Sequence, residues 1–194
     1  MSHGPLRVLN EDRVEPKTGF PTHPHREAEI FSYVIDGIIG HKDSMGNVEN
    51  LRRGDVQMTS GGTGIAHSEY NGSDKNEPLH FLQIWATPSQ RGLKPTYYTR
   101  HYTDQDKTNT LKKIVAPAGL EGVSEDRESN AGPTPIHADL TCFASILTPG
   151  SKGLSCSSLC HDVVLTMGDS ITYIYERESS KGLRSLDHAQ DRMA

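Results

Sequence analysis

The sequence predicts an all-β protein, a sandwich or a barrel, and three observations predict it. Short runs rich in β-branched and aromatic residues recur at 30–35 (IFSYVI), 56–59 (VQMT), 79–86 (LHFLQIWA) and 95–102 (PTYYTRHY). Turn-forming stretches separate them: GHKDSMGN (40–47), LRRGD (51–55), TSGGTGIAH (59–67) and EYNGSDKNEP (69–78) each combine Gly with Asn, Asp or Ser. No stretch carries a helical hydrophobic period.

Taken in order, these runs place a strand-rich unit over 1–118. The stretch 119–135 (GLEGVSEDRESNAGPTP) is polar and rich in Gly and charge, and it reads as a linker. A second β unit follows over 136–176, with strands expected at 140–147 (LTCFASIL), 162–167 (DVVLTM) and 170–176 (SITYIYE). The remainder, 177–194, is polar and is expected to be a disordered tail.

Composition narrows the function classes. The 194 residues are enough to bury a core without disulfide staples. No apolar run approaches the roughly 18 residues needed to span a bilayer, so no membrane partner is expected. The start, MSHGPLRVLN, lacks the apolar core of a secretory leader. A formal net charge of -5 offers no basic footprint for direct nucleic-acid binding. Three cysteines, Cys142, Cys156 and Cys160, point to a reducing compartment, with the cytoplasm expected; the nucleus enters only with the family resemblance given below. Cys156, Cys160 and His161 lack the paired CxxC of a structural zinc site and read as loop residues. GxSxG, Walker A and a strand-following GxGxxG are all missing, which leaves nucleophilic and nucleotide chemistry without support.

The chemistry-bearing residues sit in two short motifs. In a strand, side chains at i and i+2 share a face. His23 and His25 therefore present two imidazoles together, and the same parity reaches Glu27, Glu29, Phe31, Tyr33 and Ile35. His67 and Glu69 repeat the spacing in GIAHSEYN. If the two strands are neighbours, three imidazoles and one carboxylate converge, a set suited to Fe(II), Mn, Ni, Cu or Zn. Pro24 has no backbone donor, so His23-Pro24-His25 belongs at a strand start or on an edge strand. Gly61, Gly62 and Gly64 allow a close chain approach before His67. His41 is expected to be exposed at a strand end, and His80 to be a hydrogen-bonded structural residue.

GFPTHPHREAEIFSYVIDG (19–37) resembles the first cupin motif, and RGDVQMTSGGTGIAHSEYN (53–71) resembles the second in the form used by the pirin family. HKDSMGN, LRVLNEDRVEPKTGF and LHFLQIWATPSQRGLKPTYYTRHY extend the likeness, which covers about residues 5–149. It implies a bicupin, two cupin jelly-roll β-barrels packed together. The barrels look abridged here, with a shortened N-terminal side and a truncated or divergent second barrel. It also implies one non-haem metal ion, most often Fe(II), held by His23, His25, His67 and Glu69; Glu29 matches the carboxylate ligand of many other cupins and ranks after Glu69, as a group beside the ligands or as a ligand itself. Two functions follow from the resemblance. One is a quercetin 2,3-dioxygenase, acting on a small aromatic, flavonol-like substrate and O2. There Glu69 would be the catalytic base for the 3-hydroxyl; by strand parity alone, Phe31, Tyr33 and Ile65 are expected to line the pocket. The other is a nuclear metal protein that works on a protein partner, as a transcription co-regulator without turnover.

Overall fold

The computed structural model describes residues 4–147, 160–167 and 170–177. Its elements run β1 (Leu6–Val14), β2 (Gly19–His25), β3 (Glu29–Asp36), β4 (Ile38–Asp43), β5 (Val48–Arg52), β6 (Asp55–Ser60), β7 (Ile65–Asn71), β8 (Leu79–Ala86) and β9 (Thr96–His101). A single helical turn α1 (Asp104–Lys107) precedes β10 (Lys112–Pro117), β11 (Thr134–Ile136), β12 (Thr141–Leu147), β13 (Cys160–Met167) and β14 (Ser170–Arg177). Each of the apolar runs read from the sequence is a strand. Strands β1, β4, β5, β10 and β11 fall in stretches with weaker alternation.

The strands form three sheets, ordered β1-β8-β3-β6-β9, β2-β7-β4-β5 and β11-β10-β12-β13-β14. The first two face one another as an antiparallel jelly roll, closed at one end over Val14, Val34, Ile39, Leu51, Leu79 and Phe81. The first sheet is buried on its other face as well. There Phe31, Tyr33, Val56, Met58, Leu82 and Ile84 pack on Ile114, Val115, Ile136, Leu140 and Cys142 of the third. This is why β3 reads as an apolar run without alternation and why it is buried from Glu29 to Ile35.

The polar stretch 119–133 is a loop that gives way at Thr134 to β11. It is tied to the barrel by Arg100 of β9, a buried guanidinium that donates to the backbone oxygens of Ser124, Asp126 and Arg127 at 3.2, 2.8 and 3.4 Å. Cys160 and His161 open β13 rather than lying in a loop. Cys156 and the tail 178–194 lie outside the described residues.

Candidate metal centre

Strand pairing brings the two motifs together. β2 pairs antiparallel with β7, setting His23 opposite His67 and Phe20 opposite Glu69, with one irregularity between these pairs. β4 flanks β7 on its other side, setting His41 opposite Glu69 and Asp43 opposite His67. Directly opposed residues share a face, as do i and i+2. His23, His25, His67, Glu69, His41 and Asp43 therefore project from one face of the β2-β7-β4-β5 sheet. Along β7, Ile65, His67, Glu69 and Asn71 are buried and Tyr70 is exposed, so that face is the interior of the barrel. Pro24 lies near the end of β2, an edge strand, where its missing N–H breaks no ladder. The SGGTG loop before β7 is hooked in place by the Glu27 N–H to Gly62 O at 2.9 Å. Gly62 has φ +44, and a Cβ there would meet Leu93 O at 2.1 Å, so the loop's path requires glycine.

Three imidazoles form a triangle. Ring centroids are 4.7 Å apart for His23–His25, 4.7 Å for His23–His67 and 4.8 Å for His25–His67. One ring nitrogen from each lies within 4.8 Å of the others. His23 Nδ1 donates to Pro21 O at 2.7 Å, since a carbonyl can only accept, and this leaves Nε2 with its lone pair. His25 Nε2 and both nitrogens of His67 are buried without a hydrogen-bond partner. Burial, reinforced by charge on the neighbouring imidazoles, pushes His25 down to about 4 and His67 to about 3. Both rings are thus neutral near pH 7, the state in which an imidazole ligates metal. Partnerless, neutral, converging imidazoles fit a transition-metal ion.

Glu69 is 2 % exposed, and its orientation is fixed from the facing sheet. Ser32 Oγ donates to Oε1 at 3.3 Å and Gln83 Nε2 donates to Oε2 at 2.8 Å. Trp85 Nε1 donates in turn to Gln83 Oε1 at 3.2 Å, and its ring meets His25 edge-on at 4.9 Å. Burial pushes the Glu69 carboxyl up to about 7 against the pull of the Ser32 hydrogen bond and the His23 charge. Glu69 is not within 4.8 Å of all three ring nitrogens of His23, His25 and His67; it groups instead with His41 and His67, and His67 is common to both groups. His67 and Glu69 are buried while His23 and His25 are only partly so, which puts the opening on the β2 side. An open polar groove lined by Glu49, Asp55, Arg100 and Arg127 includes none of these residues.

Several expectations need correction. Glu29 does not adjoin the imidazoles. Its Oε1 accepts from Ser60 Oγ at 2.5 Å and its Oε2 from the His137 backbone N–H at 3.0 Å, on the side of β3 that faces the third sheet. Phe31 and Tyr33 lie on that same side, in the inter-sheet core; of the three expected pocket residues only Ile65 shares the face of the site. The reason is local: β2 ends at His25, and Glu27 turns the chain at φ 52 before β3 begins at Glu29. The period of two does not survive that turn. His41 is not exposed; it is 1 % accessible and lies 5.4 Å from the His67 ring. Its sequence signal is an i, i+2 pair with Asp43, the same spacing as His23 with His25 and His67 with Glu69. Ser32, Gln83 and Trp85 carried no motif, because they reach Glu69 from across the barrel. His80 takes the structural role expected, 2.9 Å from Glu11 Oε1.

Comparison with known proteins agrees with this architecture. Residues 2–86 match the family model Pirin. A curated Escherichia coli K12 protein named quercetin 2,3-dioxygenase is 42% identical over 131 residues, 66% of this chain and 55% of that protein. A pirin-like protein of Caulobacter vibrioides is 38% identical over 150 residues, 77% of this chain and 60% of its own length. The chain thus spans a little over half the length of these relatives. Among solved structures, Escherichia coli pirin YhhW in complex with nickel(II) superposes with a TM-score of 0.65 at 35% identity, covering 78% of this chain and 59% of YhhW.

Proposed function

We propose that the chain, whose residues 2–86 match the pirin family model, is a pirin-like mononuclear metal protein with dioxygenase activity of the quercetin 2,3-dioxygenase kind. The single observation that carries the proposal is the set of buried, partnerless ring nitrogens on His25 and His67 beside His23. His23, His25, His67 and Glu69 would hold the ion, with iron(II) favoured for O2 chemistry. A divalent metal supplies Lewis acidity that favours the ionised form of a bound oxygen ligand, and iron adds redox chemistry.

The chain's own residues supply the rest. Glu69 would take the 3-hydroxyl proton of a flavonol on its carboxylate, which the charge of the bound ion would keep ionised at neutral pH. Ser32 and Gln83 keep both carboxylate oxygens in place while this happens. Trp85, half-buried next to His25, offers an aromatic wall to a planar substrate on the open β2 side. The closed end of the barrel, walled by Val34, Ile39 and Phe81, keeps water from the far side.

The test is to purify the chain, measure bound metal by mass spectrometry, and follow quercetin absorbance and carbon monoxide release under oxygen. The expected result is about one metal per chain with oxygen-dependent quercetin loss. His67→Ala, common to both donor groups, should lose both, and His25→Ala should lose turnover and bind the metal much more weakly. Metal without turnover would transfer the site to the alternative role, a metal-bearing partner of another protein. Metal content unchanged in both variants would overturn the ligand assignment.

A further inference from the structure

A second donor set lies in the same barrel. His41, His67 and Glu69 each place one ligand atom within 4.8 Å of the others, and all three residues are buried. Neither ring nitrogen of His41 has a hydrogen-bond partner, although the side chain is fully enclosed. A buried imidazole left so is unusual unless something binds it.

His41 is also held in one orientation. Its Nε2 lies 3.5 Å from Asp43 Oδ2. Asp43 is itself pinned by the DSMGN turn: Oδ1 accepts from the backbone N–H of Met45 at 2.9 Å and of Asn47 at 3.0 Å, and Oδ2 accepts from Asn47 Nδ2 at 2.5 Å. Arg127 Nη2 closes the chain by donating to Asn47 Oδ1 at 2.5 Å. Tyr97 lies against the His41 ring, 4.9 Å away and tilted by 32°. A carboxylate facing one ring nitrogen while the other remains free is the arrangement that orients metal-ligating histidines.

We infer that His41, oriented by Asp43, is a further donor of the metal centre, and that His41, His67 and Glu69 hold a divalent transition-metal ion at a second position overlapping the first. The two positions share His67 and Glu69, so one ion occupies either and the stoichiometry stays at one. Two nitrogens and one oxygen suit nickel, cobalt, iron or zinc. The inference rests on the metal reading given above.

Nickel(II) and cobalt(II) titrated into the metal-free whole chain test it, read by calorimetry, by metal content after gel filtration and by the visible absorption of bound cobalt. His23→Ala/His25→Ala is expected to keep one equivalent of metal, about 100-fold more weakly, with a changed cobalt spectrum. Adding His41→Ala should abolish that residual binding, and Asp43→Asn should weaken it about 10-fold. His23→Gln/His25→Gln serves if circular dichroism shows that the alanine pair unfolds. A folded double variant that binds no cobalt overturns the inference alone, as does residual binding that survives His41→Ala. A wild-type chain that takes up neither metal overturns the proposed centre along with it.

Discussion

Glu69 shows what single residues contribute. Its carboxyl sits beside the imidazoles of His41 and His67, and two donors from the opposite sheet fix its direction. Gln83 is the nearer of these, at 2.8 Å against 3.3 Å, and it is braced by the Trp85 indole. Gln83→Leu keeps the side-chain volume and removes the donor. We expect nickel affinity, measured by calorimetry, to fall about 10- to 100-fold, the usual cost of losing a group that orients a ligand. The melting temperature should move little. At this scale the sequence disclosed the proposed ligands, because His23/His25 and His67/Glu69 are local patterns. It concealed Gln83 and Ser32, whose partners lie 14 and 37 residues away.

At the scale of the element, β3 is instructive because both of its faces are buried. One face turns Ser32 toward Glu69, and the other turns Phe31 and Tyr33 toward the third sheet. Phe31→Ala should therefore act on stability and not on the site. It removes a fully buried ring, so a loss of about 3–5 kcal/mol is expected in denaturant unfolding. Nickel affinity of the folded variant should equal that of wild type. A selective loss of metal or substrate binding would return Phe31 to the pocket. The strand itself was legible from its β-branched and aromatic run. Which face meets the metal site was not, because the turn at Arg26–Ala28 resets the alternation inherited from His23 and His25.

At the scale of the whole molecule, Glu29 and His137 clasp the barrel to the segment following β11. Besides the backbone bond, His137 Nδ1 lies 3.6 Å from Glu29 Oε2, and Nε2 lies 3.4 Å from Glu125 Oε2. The Glu29 carboxylate 3.6 Å from Nδ1, ahead of the opposing effect of burial, raises the His137 pKa above its ordinary 6.5. The folded state therefore binds the proton more tightly than the unfolded chain. This contribution is complete below pH 6.5 and disappears as pH climbs through the raised value. His137→Gln should accordingly cost more stability at pH 5.5 than at pH 8.5, as followed by urea unfolding. An equal cost at both would remove the charge from the clasp. The sequence by itself determined the all-β class, most of the strands and the two ligand motifs, since period-two alternation and turn chemistry act over a few neighbouring residues. Only the tertiary structure decided that His41 joins the imidazoles, that Glu29 leaves them, and that the first sheet is covered on both faces. Those outcomes depend on strand register and on which sheet packs against which, and both are fixed by contacts between residues far apart in the chain.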